Sequence, residues 1–122
     1  MSGVTSGAAR ALARLLALFA EIGPVGVVAL VLDCDGETID LCISNDDDAV
    51  EERSLLLLDL YADDAFAVLF ASVRPGPPCV RKGERARYLR VSEHGHRVGL
   101  PVLDWLIVGD DDDLCSLKVG HP

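Results

Sequence analysis

The stretch Ala65-Phe66-Ala67-Val68-Leu69-Phe70-Ala71-Ser72-Val73-Arg74-Pro75-Gly76-Pro77-Pro78 runs from an unbroken apolar segment straight into a proline-rich one. Ala65 to Ala71 carries no polar alternation, so it is predicted to be a strand buried on both faces, which places it at the centre of a sheet covered on both sides. Arg74 to Pro78 has to be a loop, because neither a helix nor a central strand tolerates that density of proline.

On the C-terminal side, Glu84 to Arg97 is predicted to be a helix stopped by Gly95 or Gly99. Pro101 to Val108 follows as a strand, then an acidic turn over Gly109 to Asp113 and a last short strand, Leu114 to Val119. On the N-terminal side, Ala8 to Glu21 has Leu12, Leu15, Leu16 and Phe19 at helical spacing, and Gly23-Pro24 ends it. Val25 to Leu32 and Thr38 to Ser44 form a hairpin whose turn signal is Asp35-Gly36. Glu51 to Ala62 is Leu-rich and free of Gly and Pro, so it is a helix, with the Asp46-Asp47-Asp48 run suited to its N-terminus. Helices interleaved with strands imply an α/β chain, more closely an α+β layered sandwich with helices flanking a mixed sheet. Residues 1–24 supply the first helix and residues 25–122 the rest of a single globular domain.

The chain has 122 residues, enough for one ordinary core. Its apolar stretches are too short for a membrane span and its N-terminus lacks a secretory pattern, so a cytoplasmic protein with no membrane partner is expected. Cys34, Cys42, Cys79 and Cys115 show no CxxC spacing and are expected as reduced thiols. The net charge of −9 is segregated: Arg74 to Arg97 holds seven basic residues against Glu84 and Glu93, a surplus of five that leaves −14 for the remainder. Arg81, Lys82, Arg85, Arg87 and Arg90 form a candidate face for a nucleic acid, an acidic protein partner or a second copy of the chain. The acidic runs Asp46 to Asp48 and Asp110 to Asp113 lack the alternating ligands of a calcium loop.

His94 and His96 would share a metal on a strand, but residues two apart on a helix point about 200° apart. They are therefore expected as separate imidazoles near a helix C-terminus, with His121 in the tail. A zinc site joining Cys79 to His94 or His96 is the weaker alternative.

The order of elements, together with Leu32-Asp33 after an apolar run, AFAVLFAS before a Pro-Gly loop, and Gly99-Leu100-Pro101-Val102-Leu103-Asp104-Trp105-Leu106-Ile107-Val108-Gly109, resembles the RadC branch of the JAB/MPN (JAMM) metalloprotease-like family. The resemblance covers about Val25 to Gly120. It implies a cytidine-deaminase-like mixed sheet, a family label of DNA repair, and a zinc held by His-x-His-Pro on a strand end and Ser-x-x-Asp at the next helix start. This chain departs from that motif. Ser72 and Arg74 stand at the two histidine positions, and Trp105 stands where the family usually has His. Counting back from Leu103-Asp104 by the family spacing leads to Glu84, with Arg81 in place of the motif's Ser. Asp40 is the nearest carboxylate to the family's general base.

A hydroxyl is a poor zinc ligand and a guanidinium is a permanent cation. Ser72, Arg74 and Glu84 are thus expected as a vestigial site without metal or other cofactor, in which Arg74 fills the metal's place and pairs with Glu84. The function implied is that of a non-catalytic pseudoenzyme, an interaction or scaffold module. The alternatives are a divergent metal-dependent hydrolase of JAMM isopeptidase type with a site rebuilt from Glu84, Asp40 or His94, and a nucleic-acid binder using the 74–97 segment.

Overall fold

The computed structural model describes residues 26–44, 49–109 and 113–118. The expected helix at Ala8 to Glu21, the Asp46 to Asp48 run, Asp110 to Asp112 and His121 lie outside the described residues. The described elements are β1 (Gly26–Leu32), β2 (Thr38–Ser44), α1 (Val50–Tyr61), β3 (Ala67–Val73), α2 (Glu84–Val98), β4 (Val102–Val108) and β5 (Leu114–Ser116). The five strands form one sheet in the order β2-β1-β3-β4-β5. Pairing is antiparallel except between β3 and β4, which run parallel because α2 carries the chain back across the sheet. This is an α+β arrangement with a mixed sheet, as the alternation of elements predicts.

β3 is the central strand, and its burial follows from the unbroken apolar run: Ala67 to Ser72 are all buried. Alternate residues serve two cores. Val68 and Phe70 join Val27, Ala29 and Val31 of β1, Trp105 and Ile107 of β4, and Val50, Leu58, Tyr88 and Val91 of the two described helices. Leu69 and Ala71 join Val28, Leu30, Leu32, Leu106 and Val108 on the opposite face, to which neither α1 nor α2 contributes.

The boundaries differ from the sequence expectation in physically readable ways. β3 begins at Ala67 rather than Ala65, because Ala65 N–H donates to Tyr61 C=O and still belongs to the turn that closes α1. β4 starts after Pro101, whose carbonyl accepts the Val68 N–H. β5 stops at Ser116, since Leu117 turns inward to donate to Trp105 C=O. The hairpin turn is as expected: Asp33 C=O accepts Gly36 N–H, and its carboxylate accepts Asp35 and Glu37 N–H. Gly36 takes φ +81° there. On the outer strand β2, the Asp40 carboxylate accepts its neighbour's Leu41 N–H and the Tyr61 hydroxyl.

α2 ends at Gly99 rather than Gly95. Gly99 sits at φ +82°, and the paired bonds Leu100 N–H to Gly95 C=O and Gly99 N–H to His96 C=O form a Schellman motif, with Leu100 buried against the core. Gly95 has a different task. A Cβ there would stand 2.5 Å from Leu100 O and 3.2 Å from Val102 Cγ2. Alanine would gain about 1 kcal/mol in helix propensity, yet overpacking against backbone costs about 1–3 kcal/mol. The clash is with a carbonyl that cannot rotate away, so Gly95→Ala is expected to lower the thermal midpoint; a raised midpoint would refute this reading.

Candidate functional site

Residues two apart on a strand face the same way, so Ser72 and Arg74, at and just beyond the end of β3, both turn toward α2. Glu84 is the first residue of α2, delivered there by the short loop that Pro75 to Pro78 opens. The three residues singled out from sequence meet. Arg74 holds Glu84 in a two-bond fork, Nη1 to Oε2 at 2.6 Å and Nη2 to Oε1 at 2.7 Å. Arg81 N–H donates to the same carboxylate at 2.5 Å, and Arg87 Nη2 lies 3.8 Å from Oε2. The pair is largely withdrawn from solvent, with side chains 12% and 10% exposed. Burial pushes the Glu84 carboxyl up, but the hydrogen bonds from Arg74 and the Arg81 N–H, with the charges of Arg74 and Arg87, outweigh it and hold the group below the ordinary carboxylate range.

Ser72 is buried and engaged from the other side. Trp105 Nε1 donates to its hydroxyl at 2.8 Å. Trp105 is fully buried, stacks on Phe70 with ring centroids 4.5 Å apart, and carries the Arg87 guanidinium 4.8 Å from its own ring centre. Ser72, Trp105, Arg87, Glu84 and Arg74 are thus linked, each to the next, by direct contacts. The donor set does not fit zinc: one hydroxyl already accepts an indole N–H, and a guanidinium fork covers the carboxylate.

These residues border a cavity of about 240 Å³ lined by Gly26, Val27, Ser72, Val73, Arg74, Arg81, Lys82, Glu84 and Arg87. The five basic residues proposed as one face divide. Arg81, Lys82 and Arg87 reach the cavity, whereas Arg85 donates to Leu117 C=O and Arg90 forks onto Glu51 of α1 at 2.7 and 3.0 Å. The candidates for a rebuilt hydrolase site do not converge. Asp40 pairs with Val31, which pairs with Val68; that is four residues down β3 from Ser72, about 13 Å along the strand. His94 is ten residues beyond Glu84 on α2, about 15 Å along the helix. It contacts Asp59 of α1 at 2.7 Å, and His96 is exposed.

The cysteines are unpaired; Cys34 and Cys79 are exposed. Burial, helped by the charge of Asp40, pushes the Cys42 thiol up and keeps it protonated. Among the described residues no three His, Cys, Asp or Glu side chains gather as a possible metal site, and no helix is long and apolar enough to cross a membrane.

Two contributors escaped the sequence reading. Charge counting groups Arg87 with the other cations, although its spacing of three from Glu84 puts both on one side of α2. Asp104 was only part of a phrase; its carboxylate accepts Trp105 N–H at 2.7 Å, Lys118 N–H at 3.0 Å and the Ser116 hydroxyl at 2.5 Å, tying β5 to β4. Compared with known proteins, the chain matches no family model and no curated sequence.

Proposed function

We propose that this chain is a metal-free relative of the RadC branch of the JAB/MPN fold that acts as an interaction or scaffold module rather than as a peptidase. The observation that carries the reading is the Arg74–Glu84 fork at the junction of β3 and α2, where the family places its zinc. A guanidinium there neutralises the remaining carboxylate and joins strand end to helix start, the mechanical part of a metal's role, without the open coordination position that activates water. A protein partner or a second copy of the chain would meet an apolar contact on α1, where Leu56 and Leu60, one turn apart, are 67% and 72% exposed.

Metal analysis of the purified protein tests this reading. Zinc well below one per chain is expected, and a stoichiometric content that survives dialysis against chelator would overturn it. The double substitution Ser72→His with Arg74→His is expected to restore zinc binding close to one per chain, since it returns two imidazoles to one face of the strand end beside Glu84.

A further inference from the structure

The cavity at the fork has a composition that the fork does not account for. Among the described residues, four cationic side chains line it, Arg74, Arg81, Lys82 and Arg87, against the one carboxylate of Glu84, a surplus of three positive charges. They come from three places in the chain: the end of β3, the loop before α2, and the first turn of α2. Like charges brought to one concavity repel, and with low-dielectric walls the field is focused into the opening. Two of the four are held in place beforehand. Arg74 is fixed by its fork onto Glu84 and by Cys79 C=O, and Arg87 lies over the Trp105 ring. Arg81 and Lys82 are exposed at the rim.

We infer that this cavity is an oxyanion site that takes one phosphoryl group, as inorganic phosphate or a small phosphomonoester, with Arg81, Lys82 and Arg87 as the contacting cations. The inference rests on the metal-free reading above, and it gives that module a ligand. A phosphoryl group brings about −1.5 to −2 charge and three acceptor oxygens at neutral pH, which answers the surplus better than a single carboxylate, a type of anion the fork already holds in Glu84. The volume sets the size. About 240 Å³ falls below the roughly 300–1,000 Å³ typical of sites for whole drug-sized ligands. One phosphoryl group and the first atoms attached to it fit that space, and the base and sugar of a nucleotide would lie outside.

The test is calorimetric titration of the full chain, stripped with chelator and shown zinc-free, with inorganic phosphate and with phenyl phosphate at fixed ionic strength. Saturable binding in the millimolar range or tighter is expected for at least one. Tighter binding of phenyl phosphate identifies a monoester as the source, and equal binding identifies free phosphate. Arg81→Gln with Lys82→Gln removes two exposed charges and keeps the Arg81 backbone bond to Glu84. Each lost charge-assisted contact is worth at least about a factor of ten, so the pair should weaken binding about a hundred-fold without lowering the melting temperature of the unliganded protein. Three results would overturn the inference: no heat with either probe, equal affinity for acetate, or undiminished binding by the double variant. A single-stranded oligonucleotide binding more than a hundred-fold tighter than phenyl phosphate would also overturn it, in favour of a polyanion track. Phosphate binding that appears only when zinc is added back would instead count against the metal-free reading itself.

Discussion

Arg74→Met is expected to cost about 3–5 kcal/mol of folding stability, the range for removing one partner of a buried ion pair, and to lower the thermal midpoint by on the order of 10 °C. The loss comes less from the missing bonds than from what stays behind. Glu84 remains largely buried at the start of α2, with Arg87 at 3.8 Å as the nearest remaining cation among the described residues. Arg74→Lys should fall between wild type and Arg74→Met, because an ammonium keeps the charge but cannot make the two-bond fork. Replacing both partners, Arg74→Met with Glu84→Leu, should cost less than Arg74→Met alone. A melting curve for Arg74→Met that superimposes on wild type would remove the ion pair from any account of this fold.

The pH dependence gives the same prediction a second readout. In the wild type the folded-state Glu84 carboxyl lies below its unfolded value of about 4.3. Its contribution is therefore fully present above that value and lost as the pH falls through the folded one. In Arg74→Met burial loses its main opponent, while the Arg81 N–H bond and the Arg87 charge remain, so the Glu84 value rises from the wild-type one and the variant loses less on acidification than the wild type does. The stability gap between the two proteins should narrow as the pH falls towards and below about 4.3, measured by denaturant titration at each pH. A constant gap would mean that Arg74 acts through packing alone.

Trp105→Ala is the other large effect. Removing a fully buried Trp is expected to cost about 3–5 kcal/mol, and here it also takes away the stack on Phe70, the surface under the Arg87 guanidinium and the donor to Ser72. Trp105→Phe keeps an aromatic ring in the stack and should lose only about 1–2 kcal/mol, mostly the bond to the buried hydroxyl. Because Trp105 is the chain's single tryptophan, the comparison needs circular dichroism rather than fluorescence. Equal costs for the two variants would mean that the stack contributes little and the hydrogen bond dominates.

Much of this arrangement is legible in the sequence because it depends on local pattern. Asp35-Gly36 marks the hairpin, the Gly- and Pro-free Leu-rich segment marks α1, and the apolar run before Arg74-Pro75 marks the central strand. The Arg74–Glu84 pair is legible too, since strand parity turns residues 72 and 74 to one side and a family spacing points to 84. What stays hidden depends on register between distant segments. The Trp105 bond to Ser72 requires β3 and β4 to pair in parallel with Phe70 opposite Trp105, and nothing local in either strand specifies that. Charge counting likewise groups Arg90 with Arg81, although one is committed to Glu51 and the other stands at the cavity rim. The first residue of β3 is not legible either, because the apolar Ala65 still bonds to Tyr61 in the turn that closes α1, and a hydrophobic pattern cannot separate such a residue from a strand.

Among the described residues, no strand pairs with the outer side of β2. Such a border invites another chain to add itself, the first step toward fibrillar self-association. The Asp40 carboxylate accepts the Leu41 N–H and sets a negative charge on this strand, unfavourable to an incoming backbone. Tyr61 holds that carboxylate from α1. The charge at this border is thus held in place from α1, and loss of the Tyr61 contact would release it.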